Sequence, residues 1–301
     1  MDAVRVGLVG AGPWATGFTA PLLAAGPACT LSAVWARRPE LATALAARHG
    51  AIAVGSFDEL LAASDAVAFA VPPDVQADLA ATAARAGLPV LLDKPIGLEL
   101  AQAERLADAI TASGVVSQLI LTNRYLPAMR RFLEGAADLE ATAGRATFLG
   151  DGAVPGHAFA TSWRLAHGGL LDLGPHVLDA LDVALGPIVG VDAVGDPFGV
   201  VALTCRHEGG AISQATLSAT TPVEPSGLVV ELFGPHGRRV LDTTTDDPEI
   251  ERRDRVATMD AVAGEFAAAV RTGISHELDV HRGLHLQRLI DTAASRLAAA
   301  R

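Results

Sequence analysis

Val4-Arg5-Val6-Gly7-Leu8-Val9-Gly10-Ala11-Gly12-Pro13-Trp14-Ala15 joins an apolar run to a glycine-rich turn and the start of a helical pattern. Val4–Val9 is apolar on nearly every residue, as a strand covered on both faces should be. Gly10–Ala15 fits G-x-G-x-x-G/A, directly after that strand and directly before the helix. Gly10 permits the tight turn, Gly12 lets the backbone approach a pyrophosphate, and Ala15 is small enough for close helix–strand packing. The helix entered at Pro13 and Trp14 presents free N–H groups and partial positive charge to phosphates. The alternative is a glycine turn with no ligand.

Outward from this stretch, short apolar runs alternate with helical patterns. Strands are expected at Val4–Val9, Thr30–Trp35, Ala66–Val71, Val90–Leu92 and Val115–Leu121, with a weaker one at Ala51–Val54. Helical segments are expected at Pro13–Ala25, Pro39–Arg48, Phe57–Ala63, Asp74–Ala86 and Glu99–Ser113. Strand and helix in alternation give a doubly wound parallel sheet through right-handed crossovers. After Asn123 strands follow one another: Arg145–Leu149, Ile188–Val194, Val200–His207, Ile212–Ala219, Leu228–Phe233 and Arg239–Leu241, with turns such as Glu208-Gly209-Gly210. Their succession implies a largely antiparallel sheet. A helix is expected after Gly174-Pro175, with Gly at the N-cap and Pro in the first turn. Val177, Leu178, Leu181 and Leu185 would be its apolar stripe, leaving Asp179 and Asp182 on the polar face. Thr258–Arg301 reads as helical with a break near Thr272–Leu278. The expected domains are 1–121, for dinucleotide, and 122–301, for substrate and oligomerisation.

The second strand is followed by Ala36-Arg37-Arg38-Pro39, with no acid until Glu40. A dinucleotide fold usually places Asp or Glu there, on the adenosine ribose hydroxyls. An arginine pair suits a 2′-phosphate, which guanidinium binds bidentately while stacking on adenine. NADP is therefore expected over NAD; the alternative is a solvated turn and an NAD preference.

Asp93-Lys94-Pro95 closes the strand Val90–Leu92. Ligands bind outside the carboxyl ends of strands in such sheets, so Lys94 stands at the cleft mouth, unless it is only a surface lysine. Asp172 precedes the expected helix and His176 falls in its first turn. The positive dipole end would favour neutral imidazole, able to accept a proton. The alternative is a capping Asp with a structurally bonded His.

The 301 residues carry 23 Lys+Arg against 34 Asp+Glu, a net charge of −11, with 50% hydrophobic residues. The length is a prior for two domains. The balance argues against nucleic acid and against a polybasic membrane anchor. No apolar run reaches the roughly 18 residues needed to span a bilayer, no leader pattern opens the chain, and a cytoplasmic protein is expected. Cys29 and Cys205 offer no disulfide framework or zinc motif, and no metal is expected.

In order, these pieces resemble the Gfo/Idh/MocA family of sugar and inositol dehydrogenases. Val71-Pro72-Pro73 looks like its strand-end turn beside the nicotinamide. Ala86–Pro95 looks like A-G-x-x-V-x-x-E-K-P, with Asp93 for the usual Glu. Asn123-Arg124-Tyr125-Leu126-Pro127 is similar to the entry into the substrate domain. Trp163-Arg164 and Gly168-Gly169 precede D-x-G-x-H as in the family, and Gly234-Pro235-His236-Gly237 resembles its late turn. Ala36 in place of the acid, Asp93, and Gln76 where a His is common are departures. The resemblance implies a second domain of mixed α/β type with a large open sheet, whose exposed face packs on a second subunit in a homodimer or homotetramer. It also implies catalytic roles for Lys94, Asp172 and His176, and cofactor contacts at Val71, Pro72, Pro73 and Asp93. Arg124, Trp163 and Arg164 are candidates for shaping the substrate pocket, with ion pairing and core packing as their alternatives. The expected activity is nicotinamide-dependent oxidoreduction of a sugar, polyol or similar small molecule. A non-enzymatic cofactor-bound sensor and a nicotinamide-dependent glycosidase are the rivals.

Overall fold

The computed structural model describes residues 2–299. The chain divides into two compact units: Met1–Ile120 with Thr258–His285, and Leu121–Ala257 with Leu286–Arg301.

The first unit holds a six-stranded parallel sheet: β1 (Val4–Val9), β2 (Cys29–Trp35), β3 (Ile52–Ala53), β4 (Ala66–Phe69), β5 (Val90–Asp93) and β6 (Ser117–Ile120), in the order β3-β2-β1-β4-β5-β6. This is the doubly wound order, with its switch point between β1 and β4. Strands β4 and β6 and most of β1 are buried along their length, as their unbroken apolar runs require. β6 lies at the sheet edge, and its exposed ladder groups are covered by the C-terminal part of the same unit. Leu119 N–H donates to Leu278 O at 2.6 Å, and Gln118 Nε2 donates to Val262 O at 3.1 Å. Edge strands left bare invite unwanted pairing. This cover is why Thr258–His285, expected in the second domain, belongs with the first unit.

The second unit holds β7 (Ala143–Leu149), β8 (Ile188–Gly195), β9 (Val201–His207), β10 (Ile212–Ser218), β11 (Gly227–Gly234) and β12 (Gly237–Asp242), in the order β12-β11-β7-β10-β9-β8. Only β7 and β10 pair in parallel; the other ladders are antiparallel. One register row, Ala193, Leu203, Ala215, Ala146, Val230 and Leu241, is buried throughout, against the side that carries helix Ser162–Leu185. The next row, including Val194, Thr147 and Asp242, faces outward. The sheet is thus open on one side.

Three expectations are corrected. Helix Ser162–Leu185 breaks at Gly168 (φ +71°), where a Cβ would stand 1.9 Å from Pro197 O. The helix after the break therefore starts before Gly174, which is not its N-cap, and Pro175 lies inside it. Asp179 and Asp182 are buried rather than solvated. Asp182 Oδ1 accepts the N–H of Ile188 at 2.7 Å, fixing the turn into β8. Short helices at Thr122–Tyr125 and Pro127–Glu134 add structure that the apolar pattern did not signal. At the C-terminus the helices are Pro248–Thr272 and Val280–Ala299; the last two residues of the expected helical segment, Ala300 and Arg301, lie outside the described residues.

Candidate active site

At the carboxyl ends of β1, β2 and β4 lies a cavity of about 750 Å³. Gly10, Ala11, Gly12, Ala36, Arg37, Arg38, Val71 and Pro72 line it, so seven of the expected cofactor residues meet in one place. Gly10 has φ +118°, and a Cβ there would lie 2.3 Å from Ala70 O. A Cβ on Gly12 would meet nothing within 4 Å. Gly10 is thus demanded by the fold, whereas the space beside Gly12 is open and faces the cavity. The segment beyond forms a π-helical turn, Ala15–Thr19, that passes into α-helix Ala20–Ala24, with Trp14 stacked on Phe18 at 4.5 Å. A π-turn of this kind is common at functional sites. Pro13, Trp14, Ala15, Pro73, Asp93 and Lys94 are not among the cavity-lining residues.

Asp78, on helix Pro73–Arg85, also lines the cavity, with Leu41, Val75 and Leu79. These four were not singled out from sequence. The i, i+3, i+4 spacing of Val75, Asp78 and Leu79 is the signal that puts them on one face.

Lys94 follows β5 directly. Its backbone N–H donates to Asp93 Oδ1 at 2.8 Å, and the Lys94–Pro95 peptide is cis. The Gln76 amide bonds the same segment: Asp93 N–H donates to Oε1 at 2.8 Å, while Nε2 donates to Asp93 O at 2.8 Å and to Pro95 O at 3.4 Å.

In the second unit Asp172 and His176 are both buried and one turn apart on helix Ser162–Leu185, so they share a face. Because the helix starts near Gly168, His176 lies beyond its first turn. The dipole influence expected there falls off within one turn, so it does not reach His176. Arg164 Nε donates to Asp172 Oδ2 at 2.9 Å. The Arg164 guanidinium also lies over the Trp163 ring, 4.5 Å from its centroid, and Trp163 is itself packed into the unit. The His176 ring stands 6.1 Å from Phe148. Arg124 is buried, and its Nη1 donates to both carboxylate oxygens of Asp179, at 3.2 and 3.1 Å. Ion pairing thus occupies Arg124, which was a candidate for the substrate pocket. Among the described residues no group of three His, Cys, Asp or Glu could hold a metal, and no helix is long and apolar enough to cross a membrane.

Residues 4–120 match the model of the oxidoreductase family GFO_IDH_MocA, NAD-binding Rossmann fold. The match spans β1 to β6, the parallel sheet of the first unit. The chain is 31% identical over 191 residues to dTDP-3,4-didehydro-2,6-dideoxy-alpha-D-glucose 3-reductase of Streptomyces violaceoruber; the match covers 61% of this chain and spans 55% of the relative. An uncharacterized oxidoreductase of Rhizobium meliloti, ORF334, is 27% identical across 97% of this chain and 96% of its own. Among solved structures, GenD2 from gentamicin A biosynthesis, in complex with NAD, is 25% identical and superposes with a TM-score of 0.85, covering all of this chain and 96% of that one.

Proposed function

We propose that this protein transfers hydride between a nicotinamide dinucleotide, preferentially NADP(H), and a secondary alcohol or carbonyl of a sugar, polyol or similar small molecule. The observation that carries the reading is the cavity at the switch point of the parallel sheet, floored by Gly10 and Gly12 and walled by Arg37 and Arg38. A pyrophosphate fits the Gly12 side, where a side chain would intrude. The arginine pair supports a 2′-phosphate in place of the usual acid–ribose contact. The dTDP-sugar reductase among the relatives and the NAD bound to GenD2 support the same class of chemistry.

Bound nicotinamide supplies the hydride acceptor or donor at C4. In the oxidative direction His176 takes the proton of the substrate hydroxyl as general base. Asp172 orients the imidazole, and Arg164 holds Asp172. Lys94 donates a hydrogen bond to the substrate oxygen and stabilises it as the carbonyl develops. General acid–base help of this kind is worth roughly 10²–10⁴ in rate. The outward face of the second sheet, with Val194 and Val240 exposed, is the face proposed to pair with a second copy; light scattering after size exclusion checks it.

The test is a screen of cyclitols, aldoses and keto-sugars with NADPH, NADH and their oxidised forms, in both directions. Turnover that falls at least a hundredfold in Lys94→Ala and in His176→Ala supports the assignment. Wild-type kcat/KM in either variant overturns that residue's role.

A further inference from the structure

Helix Pro73–Arg85 buries one long polar side chain, Gln76, which is 1% exposed. Burying an amide is costly unless its donor and acceptor are both used. Here they are used on a single short segment. The ladder between β4 and β5 stops at Ala68↔Leu91, and Asp93 lies two residues past that end. Asp93 gives its N–H to Gln76 Oε1 at 2.8 Å, and its C=O accepts from Nε2 at 2.8 Å. Nε2 lies 3.4 Å from Pro95 O, on the other side of Lys94. The side-chain amide thus does for Asp93 what a neighbouring strand's peptide group would do. Asp93 N–H can only donate, so the amide orientation is fixed by the bonds themselves.

We propose that Gln76 is a positioning residue for Lys94. It holds the backbone on both sides of that lysine, and so the point from which its ammonium reaches. The proposal rests on the reading that Lys94 bonds the substrate oxygen. Glu would keep the acceptor but set a carboxylate against two carbonyl oxygens, and an apolar residue would leave the N–H and C=O of Asp93 without this partner. Gln76 touches the cofactor cavity through no bond of its own, although Val75 beside it lines the wall. Its loss should therefore act on turnover and spare dinucleotide binding.

The experiment compares wild type with Gln76→Met, which keeps length and volume. Amide exchange of the peptide covering residues 90–97 should speed up at least tenfold. On the sugar or cyclitol turned over fastest in the screen, kcat should fall about tenfold to a hundredfold, the cost expected of a displacement near 1 Å. KM and the NADPH dissociation constant should stay within about threefold. In the Lys94→Ala background Gln76→Met should add little, because both act through one group. If Gln76→Met does not fold, Gln76→Glu carries the same measurements. Wild-type kcat in Gln76→Met, or a full further loss in the Lys94→Ala background, overturns the proposal while leaving the role of Lys94 intact. Wild-type kcat in Lys94→Ala overturns both.

Discussion

Arg164 holds Asp172 through a 2.9 Å bond from Nε, with Asp172 one turn before His176 on the same helix. The guanidinium is anchored from three further directions: it stacks on Trp163, and Nη1 donates to Phe159 O at 3.3 Å and to Thr161 Oγ1 at 3.5 Å. Arg164 therefore serves the aspartate, where the sequence had made it a candidate for the substrate pocket. Arg164→Leu is expected to lower kcat about tenfold to a hundredfold, less than the roughly 10²–10⁴ lost with a general base outright. The NADPH dissociation constant should not move. Steady-state kinetics with a fluorescence titration separate the two; unchanged kcat would sink the coupling.

Gly10 and Gly12 stand two residues apart and should fail in different ways. A Cβ at Gly10 meets Ala70 O at 2.3 Å and needs a φ that side chains rarely adopt. Gly10→Ala should cost roughly 1–3 kcal/mol of stability as well as cofactor affinity. Gly12→Ala has open space around its Cβ, so its Tm should stay within about 2 °C of wild type. Its affinity for NADPH should nevertheless drop, because the proposed pyrophosphate would occupy that space. Scanning calorimetry and fluorescence titration of the two variants check the contrast.

The buried pair Arg124–Asp179 predicts a stability effect without a binding effect. Removing one partner leaves the other charge buried and unmatched, at a cost of about 3–5 kcal/mol. Arg124→Met and Asp179→Asn should each lower the urea midpoint strongly. The double variant Arg124→Met with Asp179→Leu should be more stable than either. A rise in KM in Arg124→Met with no loss of stability would return Arg124 to the substrate pocket.

Much of this was legible because the signals were local. Val4–Val9 matches its predicted strand at both ends, and Gly10–Ala15 turns from that strand into a helix as expected, because strand burial and glycine dihedrals are read within a few residues. What was missed depended on partners far away in sequence. Asp179 looked solvated because a helical pattern cannot show an arginine 55 residues upstream. Thr258–His285 was assigned to the second domain because nothing local says that Leu278 caps the edge strand at Leu119. Gly174-Pro175 was read as a helix start because Pro is common there, yet Gly168, with its positive φ, makes the break. Placing His176 in a first turn followed from that error. Its place one turn from Asp172 did not depend on it, since i, i+4 spacing holds wherever the helix begins.

The two thiols give a prediction about alkaline pH. Burial pushes both Cys29 and Cys205 up to about 11. In the unfolded chain a thiol ionises near its ordinary value, about 8.5. Between those values the folded state keeps protons that the unfolded state releases, so stability falls as pH rises through that window. Replacing both by Ala should flatten the decline seen in urea titrations between about pH 8.5 and 11. A thiol reagent at pH 8 should label neither cysteine in the native protein and both in urea.

Three charged side chains share the wall of the proposed cofactor cavity. Arg37 and Arg38 follow β2, and Asp78 faces the same space from helix Pro73–Arg85. A 2′-phosphate would gain from the arginines and be repelled by the carboxylate. Hydrogen bonds to charged groups are worth roughly 1.5–3 kcal/mol, so Arg37→Ser and Arg38→Ser should each weaken NADPH binding by about tenfold to a hundredfold. NADH has no phosphate at that position, and its affinity should change less than about threefold. Asp78→Asn should act in the opposite direction and tighten NADPH by a few-fold, with the gain shrinking as salt screens the exposed carboxylate. Titrating both dinucleotides against all three variants at two ionic strengths reads each effect separately. Tighter binding of NADH than NADPH by the wild-type protein, or equal losses for both dinucleotides in the arginine variants, would assign the pair to a solvated turn and the proposed activity to NAD.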